Sequence, residues 1–100
     1  MPKLNIVTDG DVPTAKIVGY SFKCPGCGWR HVFWTDSPHY PKWAFNGNLD
    51  KPSFTPSLLD RWHDERGDMR CHIVLTDGII NFCGDCSHPL AGQSIPMIDA

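Results

Sequence analysis

The chain has 100 residues, a formal net charge of −2 and no run of Lys or Arg, which excludes the electrostatic footprint of a nucleic-acid binder. No apolar run of signal-peptide or membrane-spanning length occurs, so a cytoplasmic protein with reduced thiols is expected, with no membrane partner. A single domain over residues 1–100 has a thin core, and its five cysteines, an odd number, favour a metal staple over disulfides.

In chain order, alternation over residues 15–23 predicts a strand that ends at the knuckle Cys24-Pro25-Gly26-Cys27-Gly28. A second strand is expected over 29–35, with Trp29, His31 and Phe33 on one face. Residues 36–56 are irregular and rich in Pro, Asn and Gly, and they contain Trp43-Ala44-Phe45-Asn46-Gly47. A stretch of this length inside a small domain is usually functional. Its aromatics predict a packed loop and a candidate substrate-facing lid. A short strand is expected over 57–63, and a charged turn over 64–68.

Residues 69–75 and 79–83 flank Asp77-Gly78 and give the clearest hairpin in the sequence. A two-residue type I′ turn pairs Thr76 with Ile79, Val74 with Asn81 and His72 with Cys83. The opposite face is then wholly apolar, with Cys71, Ile73, Leu75, Ile80 and Phe82; a three-residue turn would mix both faces. Residues 93–98 are a candidate edge strand, demoted from a central position by Pro96. The fold class expected is all-β, built of antiparallel hairpins with little helix and stapled by zinc.

Cys24 and Cys27 supply half of a tetrahedral zinc site, with glycine where the backbone must turn beneath the sulfurs. A redox pair of the thioredoxin kind would open a helix, whereas Gly28-Trp29-Arg30 leads into a strand. The second pair of ligands has three candidate sources: Cys83 with Cys86, Cys71 with Cys86, or His72 with Cys86. Four thiolates would make a closed, structural site, and Cys24, Cys27 and one histidine plus water would make a catalytic one.

Asp85, His72 and His88 converge on one end of the hairpin, as further ligands or as a general base near a bound water. Blander roles are a hydrogen-bonded strand histidine for His72, a loop residue for His88 and a turn acceptor for Asp85. His31 is expected as a partner behind the ligands. Ser57 has no nucleophile elbow, so it is expected as a hydrogen-bond donor rather than a nucleophile. Trp29, Trp34, Trp43, Phe45 and Trp62 are expected as core and satellite packing or as the walls of a peptide groove, and the sequence does not separate the two.

Several stretches together resemble a small phage and bacterial family, the domain-of-unknown-function family 6527. They are the Cys24–Cys27 knuckle with His31, the Trp43 to Gly47 segment, Pro52-Ser53-Phe54-Thr55-Pro56-Ser57, Cys71-His72, Thr76-Asp77-Gly78, Phe82, Asp85-Cys86-Ser87-His88 and Ala91-Gly92-Gln93. Some relatives of that family lie beside bacterial ubiquitin-like conjugation genes and take the place of a metal-dependent deubiquitinase. The resemblance therefore implies a zinc peptidase, working in a bacterial host cell on a protein or peptide substrate. It places the metal on Cys24, Cys27 and Cys86 with either Cys71 or His72, and leaves Asp85 and His88 for catalysis. Cys83 departs from the family pattern. A zinc-dependent hydrolase acting near a ubiquitin-like tail is the expected function. The alternative is a non-catalytic, zinc-stapled module that binds a host protein.

Overall fold

The computed structural model describes residues 2–100 and contains strands but no helix among them. Among the described residues, nine strands form three antiparallel sheets. The first joins β1 (Asn5–Thr8), β2 (Ile17–Lys23) and β3 (Arg30–Trp34) in that order. A small ribbon pairs β4 (Ala44–Phe45) with β5 (Phe54–Thr55). The third sheet runs β6 (Leu58–Asp64), β7 (Gly67–Thr76), β8 (Ile79–Phe82) and β9 (Ser94–Pro96). The all-β class is as expected. Strand β1 lay outside the expected elements because it is an exposed edge with no buried alternation to mark it.

The hairpin register is the expected one: Thr76 faces Ile79, Leu75 faces Ile80, Val74 faces Asn81 and Ile73 faces Phe82. Asp77 and Gly78 both take positive φ, 49° and 74°, as a type I′ turn demands. The predicted apolar face is the core, with Cys71, Ile73, Leu75, Ile80 and Phe82 all buried. The loop at 36–56 is packed, as its aromatics imply. Phe54 stacks on Phe33 at 4.2 Å and on Phe45 at 4.7 Å, and Trp43 meets the Phe33 ring edge-on at 5.9 Å. These rings bind the first sheet to the ribbon. Trp29 differs from its expected packing role. Strand β3 begins after it, and the residue is 56% exposed, its indole N–H donated to Asp64.

Strand β7 is the element that organises the chemistry. Successive side chains on a strand point to opposite faces, so Cys71 enters the core while His72, its neighbour, faces outward and is half-buried. Across the pair with β6, Asp60 stands opposite Cys71 and Leu59 opposite His72. The turn from β6 to β7 also clasps the knuckle. Arg66 donates to the Cys27 carbonyl at 3.0 Å, and Asp64 accepts from Arg66, Trp62 and Trp29. These donors, Arg66 first and then Trp62, hold the Asp64 carboxyl well below the usual carboxylate range.

Candidate functional site

On the inner face, Cys24, Cys27, His31 and Cys71 bring one donor atom each within 4.8 Å of one another, and all four side chains are buried. The knuckle shapes this cluster through hydrogen bonds from Cys24 N–H to the Trp29 carbonyl and from Gly28 N–H to the Cys24 carbonyl. Cys24 Sγ lies 3.9 Å from Cys71 Sγ, and Cys27 Sγ lies 3.4 Å from His31 Nε2. A tetrahedral zinc with ordinary bond lengths has sulfur–sulfur edges of about 3.8 Å and sulfur–nitrogen edges of about 3.6 Å. The donor set therefore fits a metal ion in both kind and size.

The surroundings fit as well. His31 Nδ1 is 2.5 Å from an Asp60 oxygen, the carboxylate–histidine arrangement that fixes a ligand's tautomer and orientation. Burial alone would push the His31 imidazole down, but Asp60, Cys24 and Cys27 outweigh it and hold it up at about 11. Hydrogen bonds with Cys24 and Cys71 hold the Cys27 thiol far below its ordinary range, while Cys24, Cys27 and burial hold Cys71 far above. Sulfurs this crowded in a dry core cannot all ionise without a cation to join them. Replacing Asp60 by Asn should weaken metal binding about 10- to 100-fold, as measured by competition with a chromogenic chelator.

His88 and Cys86 border this cluster. Cys71, Cys86 and His88 form an overlapping group, also with donor atoms within 4.8 Å. His88 Nδ1 accepts the Leu90 N–H at 3.3 Å, which leaves Nε2 carrying the proton toward Cys71 Sγ, also at 3.3 Å. His88 thus supports the Cys71 sulfur and is itself buried, whereas Asp85, expected beside it, is exposed. Its ring packs directly on the knuckle, where a Cβ added to Gly26 would sit 2.4 Å from it. Substituting Gly26 by Ala should cost about 1–3 kcal/mol, read as a lower thermal midpoint of the metal-loaded protein. Cys86 Sγ is engaged by the backbone of His72, accepting its N–H and donating to its carbonyl, each at 3.3 Å.

On the outer face a different constellation forms. His72, expected among the ligands, stands apart from the buried set of four. Its Nε2 lies 2.9 Å from Ser57 Oγ, and its Nδ1 lies 3.2 Å from Asp85 Oδ1. The backbone of His72 is clamped by Cys86 Sγ and by the Cys83 N–H, which donates to the His72 carbonyl at 2.9 Å. Ser57 enters β6 from the turn after Pro56, and its carbonyl accepts the Trp43 indole N–H at 3.4 Å. Asp85 is exposed and is also approached by Arg70 at 3.8 Å. A serine hydroxyl on one imidazole nitrogen and a carboxylate on the other is the geometry of a nucleophilic triad.

The family model of the bacterial ubiquitination-like system serine protease, BubE, matches residues 4–83. The chain belongs to this family. No curated protein and no solved structure matches it. The BubE match takes in Cys24, Cys27, His31, Ser57, Cys71 and His72, while Asp85, Cys86 and His88 lie beyond its end. Membership of BubE associates the chain with proteolysis in a bacterial ubiquitination-like system. The sequence resemblance implies a metal peptidase, whereas the description of BubE names a serine protease. No helix among the described residues is long and apolar enough to cross a membrane.

Proposed function

We propose that this chain is a serine peptidase that cleaves a peptide or isopeptide bond at the tail of a ubiquitin-like protein, with a zinc ion that is structural. The observation that carries the reading is the Ser57 hydroxyl at 2.9 Å from His72 Nε2, with Asp85 on the other ring nitrogen. Ser57 Oγ attacks the scissile carbonyl as its proton passes to His72 Nε2. Asp85 accepts a hydrogen bond from Nδ1–H, holding the ring in the productive tautomer and stabilising the imidazolium. His72 then protonates the departing amine, and the acyl group remains as an ester on Ser57. A water that gives its proton to His72 hydrolyses this ester and restores the hydroxyl.

Zinc held by Cys24, Cys27, His31 and Cys71 supplies no step. These four donors would fill a tetrahedral ion's coordination and leave no position for a substrate or activated water. Its role would be to join the knuckle to β7, on which Cys71 directly precedes His72. A fluorophosphonate probe should modify Ser57, located by peptide mass spectrometry, and stop cleavage of a ubiquitin-like protein bearing a short C-terminal extension. Cleavage that survives the probe but stops reversibly on chelation would instead favour a catalytic zinc.

A further inference from the structure

Cys83 belongs neither to the buried metal centre nor to the Ser57–His72–Asp85 constellation, yet it borders the second. Its Sγ, a His72 ring nitrogen and an Asp85 carboxylate oxygen all lie within 4.8 Å of one another. The β7–β8 hairpin holds this group in place. The Cys83 N–H donates to the His72 carbonyl at 2.9 Å, and the Cys83 carbonyl accepts the Cys86 N–H at 3.2 Å, closing a turn that presents Asp85. From these placements we propose that His72, Cys83 and Asp85 form a second, exchangeable cation site for a zinc-class ion, and that filling it switches the peptidase off.

Thiol, imidazole and carboxylate together select the borderline divalent ions, zinc and cobalt among them, over magnesium or calcium. The group differs from the buried centre in access. Cys83 and His72 are half-buried and Asp85 is exposed, whereas Cys24, Cys27, His31 and Cys71 are at most 2% exposed. Three protein donors with one position left to solvent make a weaker and faster-exchanging site than a closed set. On binding, the Cys83 thiol releases its proton to solvent and the sulfur bonds the ion.

Inhibition follows from whichever ring nitrogen of His72 takes part. At Nε2 the ion occupies the lone pair that receives the Ser57 proton. At Nδ1 it fixes the ring proton on Nε2, and the ring again cannot act as a base. In either case Asp85 is drawn from orienting the imidazole to binding the cation.

The effect on rate rests on the serine-peptidase reading, but the binding does not, so the test has two arms. Protein that already carries its tightly bound zinc is titrated with cobalt(II) and followed by absorbance. A second equivalent should bind with a thiolate-to-cobalt charge-transfer band, and Cys83→Ala should abolish that band. In the second arm, added zinc should depress tail cleavage at least about tenfold, and Cys83→Ala should keep its basal rate and need at least about tenfold more zinc for the same loss. The proposal is overturned if no second equivalent binds, or if the variant matches the wild type in both band and zinc sensitivity. A chain with no hydrolysis at all, but with the Cys83-dependent band, sinks the peptidase reading and the switch while the cation site stands.

Discussion

Ser57→Ala is expected to lower the rate of tail cleavage by about 10⁴- to 10⁶-fold, equivalent to roughly 5–8 kcal/mol of transition-state stabilisation. The loss should fall on kcat, since the hydroxyl forms its decisive bond only as the reaction proceeds. Folding should be untouched. Ser57 is half-buried at the entrance to β6, and its hydroxyl reaches His72 rather than the core. The thermal midpoint and the bound zinc should therefore match the wild type, which separates a lost nucleophile from a lost fold. His72→Ala should remove nearly as much, and the double variant little more than either alone, because the groups act as a unit. Asp85→Asn should cost less, on the order of 10²-fold. Its carboxylate is exposed, so solvent already screens part of what it supplies to the imidazolium. Steady-state kinetics on one extended ubiquitin-like substrate measures all of these.

Removing the metal proposed for the Cys24–Cys27–His31–Cys71 cluster is expected to unfold the protein rather than merely inactivate it. Cys71 has no exposed surface and sits in the longest strand, and Cys24 anchors the knuckle against it at 3.9 Å. Structural zinc contributes an apparent binding free energy of about 10–16 kcal/mol, as large as the whole stability of a typical small domain. Without the ion, three sulfurs are left crowded in the core beside an imidazole held by Asp60. Chelation, or Cys24→Ser, should therefore abolish the cooperative thermal transition and release one equivalent of zinc, seen by circular dichroism with a colorimetric zinc assay. Cys24 is the better probe, because Cys71 adjoins His72 and its loss would disturb both sites. An apoprotein that stays folded, loses activity and regains it with zinc would mark the ion as catalytic.

The elements that the sequence made legible are those written in local pattern. Asp77-Gly78 between two apolar runs determined the β7–β8 register, because only one pairing puts Cys71, Ile73, Leu75, Ile80 and Phe82 on a common face. The Cys24–Cys27 knuckle was equally plain from its spacing. The site itself was harder, because residues 71–88 look like one ligand cluster when read as a line. Alternation along β7 divides them, sending Cys71 inward and His72 outward, so that adjacent residues fall in separate side-chain clusters.

As a nucleophile, Ser57 carries no signal of its own in the sequence. It lacks the glycines of a nucleophile elbow, and what brings it to His72 is the β6–β7 pairing that sets Leu59 opposite His72. That register would have drawn attention to it, since Ser57 begins the same outward row. His31, expected behind the ligands, has its Nε2 among the donors, and the supporting place is taken by Asp60. Asp60 was invisible for the same reason as Ser57: it reaches its partner across 29 residues of chain, through sheet packing rather than sequence spacing.

In the proposed arrangement two centres stand back to back on β7, a metal that holds and a serine that reacts. Intact-mass spectrometry of the zinc-loaded protein during turnover of an activated ester of a tail peptide tests it most directly. A transient adduct with the mass of the acyl group is expected, mapped to Ser57 and absent from Ser57→Ala, while the zinc stays bound. Turnover at the wild-type rate by Ser57→Ala, with no covalent adduct, would contradict it.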